Sequence, residues 1–209
     1  MSQVEKIFQL YSVLHKLKTL PRTGWIHWGL KPTVRAESVA EHVFGTCALA
    51  TSIFATQKQN VNMERVFTML ALHETEEALI GDLTPFQAEY ASKAELAQKA
   101  MAELFANYMN KDQILAYVHE FDSRTTPEAQ FAYMCDKLEA VIQAYMYGDA
   151  FDPTRMHEQL KTNAELQAME KEGYTSVAQK FMQYGKSCYK GIFQELAKFI
   201  EEKESVSDK

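Results

Sequence analysis

His73 and Glu77 fall in helical register with Val66, Met69, Leu70 and Ile80, so the stripe that must face a core also carries an imidazole and a carboxylate. Burying such groups is costly unless they are paired or bound to a metal. Any fold this chain adopts must therefore bring partners to them. The sequence offers His42 in a separate helix-like segment, Glu74 beside His73, and Asp136 far downstream. Imidazole and carboxylate in one cluster form the ligand set of a divalent cation such as manganese, cobalt, iron or zinc. Neighbouring residues on a helix diverge by roughly 100°. His73 and Glu74 can thus share one ion only if their helix presents its shoulder to it, with His42 and Asp136 approaching from adjacent helices, a geometry suited to a bundle.

The rest of the chain favours such a bundle. Only 5 prolines and 8 glycines interrupt 209 residues, and helix formers dominate nearly every window. An all-α single domain follows, with a core from about residue 4 to 200 and a polar tail over 203–209. The first helix is expected from Val4 to Lys18, ended by Pro21, before a loop of residues 22–35 that carries both tryptophans. Ser38 and Glu41 form a capping box that opens a helix through His42, Leu49 and Ile53 to Thr56. Asn62 to Ile80 reads as one helix stopped by Gly81. Ser92 with Glu95 opens another to about Tyr108, and Asp112 caps a shorter one through His119. Thr126 and Pro127 start the helix that carries Phe131, Cys135, Asp136, Leu138 and Ile142. Amphipathic segments over 152–172 and 177–202 complete the chain.

A formal charge of -6 gives no electrostatic footprint for a nucleic-acid polymer or an anionic membrane, yet it allows a small phosphorylated ligand held by a few local cations. Cys47, Cys135 and Cys188 are widely spaced, without a Cys-x-x-Cys pair, and read as reduced core residues. The N-terminus lacks a signal-peptide run and no stretch approaches the apolar length of a membrane span, so a cytoplasmic protein is expected.

Each candidate has a plainer reading. His42 alone would be a satisfied core histidine; a second inward histidine reverses that preference. Glu76 reads as part of a solvated acidic face, whereas Glu77 lies one turn beyond His73 on the inward stripe. Asp82 suits a turn after Gly81, and Asp136 could simply pair with Lys137 or Arg124. His15, His27, His119 and His157 read as surface or loop residues.

RTGW at 22–25, VRAESVAEH at 34–42, LALHETEEALIGDLTP at 70–85 and MCDKLEA at 134–140, taken in that order over roughly Leu14 to Tyr147, resemble the HD-domain metal-dependent phosphohydrolases, and most of all their 5'-deoxynucleotidase branch. The resemblance implies an all-α HD fold, one divalent metal (manganese, cobalt, zinc, iron or magnesium), a homodimer, and hydrolysis of deoxynucleoside 5'-monophosphates to deoxynucleoside and phosphate. It matches His42, His73 and Asp136 to metal ligands and puts Glu74 where the family has the aspartate of its HD pair. The added methylene displaces that carboxylate unless helix or ion moves. Arg22 matches the phosphate-binding arginine, a planar fork suited to two phosphate oxygens. Trp25 resembles the tryptophan that packs near the sugar and disfavours a 2'-hydroxyl, with Trp28 as a substitute. Glu77 matches the carboxylate that orients or deprotonates water, and Asp82 would assist proton transfer to the leaving oxygen; these two roles could be exchanged. Two other readings stay open: an HD phosphohydrolase acting on another small nucleotide or phosphomonoester, and a degenerate HD protein that binds nucleotide without hydrolysis.

Overall fold

The computed structural model describes residues 1–83, 92–151 and 187–207. Among these residues it is helical throughout, with two isolated β-bridges and no strand, as the composition predicts. The helices are α1 (Gln3–Leu14), α2 (Thr23–His27), α3 (Val39–Thr56), α4 (Met63–Leu72), α5 (Glu77–Ile80), α6 (Lys93–Leu104), α7 (Lys111–Ser123), α8 (Pro127–Tyr147) and α9 (Ile192–Ser207).

The long helix α8 is the axis of the core. Thr126 caps it, Pro127 occupies its first turn, and its inward residues Phe131, Ala132, Cys135, Leu138 and Val141 pack against α3, α4, α7 and α9. From α3 come Leu49, Ala50 and Ile53, from α4 Val66, Met69 and Leu70, and from α9 Phe193, Ala197 and Ile200. The capping box at α3 forms in both directions: Ser38 Oγ accepts from the Glu41 amide at 3.2 Å, and Glu41 Oε2 accepts from the Ser38 amide at 2.7 Å.

Several expectations need correction. Glu76 is buried rather than solvated. Asp112 lies inside the first turn of α7, whose cap is Asn110, and the helix continues past His119 to Ser123. Helix α1 has its own capping box at Ser2 and gives way to a 3-10 turn at His15–Lys18; none of its residues is buried, and Val4, Ile7, Phe8 and Tyr11 form an exposed apolar stripe. Helix α9 continues beyond Glu202 to Ser207, where a fraying tail was expected. By length and composition α3 reaches the threshold for a membrane span, although its His42, Thr46, Leu49 and Ile53 side is packed inside the protein. The expected helix over 152–172, residues 177–186 of the one expected over 177–202, and His157 lie outside the described residues; within 187–202 helix begins only at Ile192, after a turn at 187–191.

The correction that matters most for the site is a break in the expected helix Asn62 to Ile80. Regular α-helix ends at Leu72, and the amides of Thr75, Glu77 and Ala78 reach back three residues instead of four. The cause is local. His73 Nδ1–H donates to the Leu70 carbonyl at 2.7 Å, capturing the acceptor that the Glu74 amide would use in a continuous helix. Gly81, with φ of 78°, then ends α5 in a conformation that favours glycine.

Candidate metal centre

Three elements supply the centre: α3 brings His42, the tightened turn brings His73 and Glu74, and α8 brings Asp136. One ligand atom from each of the four lies within 4.8 Å of all the others. His42 Nε2 is 3.1 Å from Asp136 Oδ1, while His73 Nε2 lies 3.8 Å from the same oxygen and 3.9 Å from Glu74 Oε1.

Each imidazole is set by a hydrogen bond on its far side. His42 Nδ1–H donates to Glu139 Oε2 at 2.6 Å and His73 Nδ1–H to the Leu70 carbonyl, which turns both Nε2 atoms toward the centre. Among the described residues, His73 Nε2 is buried and has no hydrogen-bond partner. An orphaned imidazole nitrogen between two carboxylates fits a divalent cation, and the donor set of two imidazoles and two carboxylates agrees with that.

The surrounding charges favour the ligating forms. Burial keeps His73 below the ordinary histidine range, hence neutral. Burial and the Arg22 charge also oppose a proton on His42, but its bonds to Asp136 and Glu139 outweigh them and lift its pKa to about 9. Cation binding must therefore displace a proton from His42. Burial works against ionisation of Glu74 and Asp136 as well, yet Arg22 holds Glu74, and Lys137 with His42 holds Asp136, well below the usual carboxylate range. Asp136 therefore makes both the plain pairing expected of it, to Lys137 Nζ at 2.8 Å, and the contacts of the centre.

Arg22 reaches the centre from the turn before α2. Its amide donates to the Glu37 carbonyl at 2.8 Å, and its guanidinium is 2.9 Å from Glu74 Oε1. Burial opposes its charge, but Glu74, Asp82, Glu77 and Asp136 together raise its pKa. Asp82 Oδ2 accepts from the Thr23 amide at 2.7 Å, and Thr23 Oγ1 donates to the Asp82 carbonyl at 2.7 Å, clamping the segment after Gly81 against the Arg22 turn. Trp25 is 2% exposed, donates its indole N–H to Glu37 at 2.9 Å and meets the Tyr147 ring edge-on; Trp28 is buried too. Glu77 is 1% exposed. Its Oε1 lies 3.2 Å from Lys93 Nζ, and its buried Oε2 has no partner among the described residues. Burial, with Glu74 and Asp82, pushes its pKa up to about 10 against the pull of Lys93 and Arg22.

Three contributors were missed in the sequence. Glu139, one turn after Asp136, orients His42, and the i, i+3 spacing from Asp136 was a usable signal. Gly45 is required by Glu139: a Cβ at position 45 would lie 2.9 Å from the Glu139 Cδ. Lys93, at the start of α6, joins the centre only through the fold. Burial, with Glu74, raises the pKa of buried Glu76 to about 8. Together with His73 and Lys93, Glu76 lines a cavity of about 580 Å³ walled by Ala97, Met101 and Leu115.

A family model for the HD domain matches residues 14–180. The 5'-deoxynucleotidase HDDC2 of Danio rerio is 30% identical over 149 residues, which cover 69% of this chain and 70% of that protein. The 5'-deoxynucleotidase hdd1 of Schizosaccharomyces pombe is 28% identical over 146 residues, 66% of this chain and 71% of that protein. Among solved structures, a conserved hypothetical protein from Pyrococcus furiosus superposes with a TM-score of 0.60 at 26% identity, over 79% of this chain and 97% of its own. A protein described as a predicted metal-dependent phosphohydrolase, from Magnetospirillum magnetotacticum MS-1, shares the fold with a TM-score of 0.59 at 22% identity, over 90% and 94% of the two chains. The matched span runs from before Arg22 to beyond Asp136 and so takes in all four side chains of the centre; the chain belongs to the HD-domain family.

Proposed function

We propose that this protein is a metal-dependent 5'-deoxynucleotidase that converts deoxynucleoside 5'-monophosphates to deoxynucleoside and phosphate. The observation that carries the reading is the convergence of two buried Nε2 atoms and two carboxylates beside Arg22 and the unpartnered Glu77 Oε2; the named activity of its relatives supports the choice of substrate.

His42, His73, Glu74 and Asp136 would hold the cation. When bound, it supplies positive charge against the phosphate and acidifies water. Arg22 binds the non-bridging oxygens as a planar fork and neutralises the charge that develops on them. Glu77 Oε2, ionised when the charge of a bound cation offsets the push of burial, Glu74 and Asp82, would accept a proton from the attacking water as the water oxygen bonds to phosphorus and the bond from phosphorus to the 5'-oxygen breaks. Asp82, held by Thr23, would assist transfer of that proton to the departing 5'-oxygen, so that the proton taken from water leaves on the deoxynucleoside and Glu77 returns to its starting state. Trp25, buried three residues after Arg22, would by the family resemblance take the part that disfavours a 2'-hydroxyl. The cavity beside His73 is of a size that suits a nucleoside-sized organic group.

Manganese, cobalt, zinc, iron and magnesium are all compatible with nitrogen and oxygen ligands, and a cytoplasmic homodimer is part of the reading. The test is phosphate release from a panel of deoxy- and ribonucleoside 5'-monophosphates, using protein stripped of metal and resupplied with one cation at a time. Metal-dependent release that favours deoxy substrates is expected. No release with any cation, together with gain of activity in Glu74→Asp, would mean that the protein binds nucleotide without hydrolysing it.

A further inference from the structure

Among the described residues, Glu77 has one hydrogen-bonding neighbour at its carboxylate, Lys93, and that neighbour comes from a different helix. The ammonium lies 3.2 Å from Oε1, while Oε2 is buried and unpartnered. A glutamate carboxylate turns broadly about its last bond, so burial alone does not decide which oxygen faces the reacting water. A cation on one oxygen does decide it. Lys93 itself is part-exposed, with its side chain lining the cavity beside His73, so it reaches Glu77 from the substrate's side of the site.

We propose that Lys93 is the positioning residue for Glu77: it pins Oε1 so that Oε2 is presented to the attacking water. This rests on the reading of Glu77 as the proton acceptor. Lys93 forms no bond in the reaction and exchanges no proton; it acts through Glu77 alone.

That dependence is testable with a double-mutant cycle on the full-length, metal-supplied protein acting on a deoxynucleoside 5'-monophosphate. Lys93→Met should lower kcat by about 10- to 100-fold with little change in KM, the size expected for a misaimed catalytic group. Lys93→Arg should recover most of that loss, and added methylammonium should partly restore Lys93→Ala. In a Glu77→Gln background, Lys93→Met should cost nothing further. Additive losses in the cycle, or a kcat for Lys93→Met equal to the parent, would overturn the proposal. If Lys93→Met does not fold, Lys93→Gln is read by the same cycle, since it removes the charge at nearly the same length. A parent protein that releases no phosphate from any nucleotide sinks the enzymatic reading itself, an outcome separate from an active parent indifferent to Lys93.

Discussion

Two buried charge clusters flank the α4 helix, and they are finished to different degrees. At its N-terminal end both Glu120 oxygens meet a partner of opposite charge: Arg65 Nε donates to Oε1 at 2.9 Å, Thr126 Oγ1 donates to the same oxygen at 2.6 Å, and Oε2, which has no hydrogen bond among the described residues, faces the Arg65 guanidinium as an ion pair. This joint ties α4 to α7 and to the start of α8. At the C-terminal end His73 Nε2, Glu76 Oε2 and Glu77 Oε2 are buried without partners. Unmade hydrogen bonds of that kind cost on the order of 1–3 kcal/mol each, and three within one turn are tolerable where a ligand completes them. The structural cluster neutralises each of its carboxylate oxygens within the fold, whereas the working one leaves ligand atoms open toward what it binds.

That contrast can be broken by substitution, and the largest effect belongs to the open cluster. His73→Ala should abolish both bound metal and phosphate release, read by elemental analysis and by the panel assay; full metal content in the variant would remove His73 from the centre. Glu77→Gln should come next, lowering kcat by about 10²–10⁴-fold with substrate binding retained. An unchanged turnover number would take Glu77 out of the mechanism. Glu139→Gln sharpens the comparison from one step further out. It should weaken metal affinity by about 10- to 100-fold, as loss of an orienting partner does, measured by competition with a chelator.

The smallest effect on chemistry belongs to the closed cluster. Glu120→Ala should leave metal content and kcat in place while lowering stability by about 1–3 kcal/mol, read by urea unfolding. Its pH dependence has a definite sign. The bonds from Arg65, foremost, and from Thr126 depress the Glu120 pKa against its partial burial, so its stabilisation is present above the ordinary carboxylate range and is lost as pH falls through the depressed value. The gap between parent and Glu120→Ala should therefore narrow in acid. A gap independent of pH would mean that packing rather than charge holds the joint.

The sequence was most legible where local chemistry decides structure. Ser38 with Glu41 and Thr126 with Pro127 fix where α3 and α8 begin, and with them the heights at which His42 and Asp136 stand. The quartet could be read because two histidines and two carboxylates recur on inward stripes, and the resemblance placed Arg22 beside them. Helical periodicity failed at residues 73–76, because a side-chain bond from His73 to the Leu70 carbonyl competes with the backbone, and periodicity carries no sign of that competition. The same failure hid Glu76, since the turn that buries it does not follow the 3.6-residue period. Lys93 was out of reach for another reason: its partner is 16 residues away on another helix, and only tertiary packing joins them.

Gly45 has a consequence for anyone who sets out to make this protein more robust. A glycine within a long helix such as α3 is a standing target, because alanine there ordinarily strengthens the helix by roughly 0.5–1 kcal/mol. Here the missing methyl group is where the Glu139 carboxylate lies, and a shift of that carboxylate strains its bond to the proton-bearing nitrogen of His42. A heat-tolerance screen would be drawn to position 45 and would select hardier molecules whose imidazole is turned away from its task, so the two traits must be scored together.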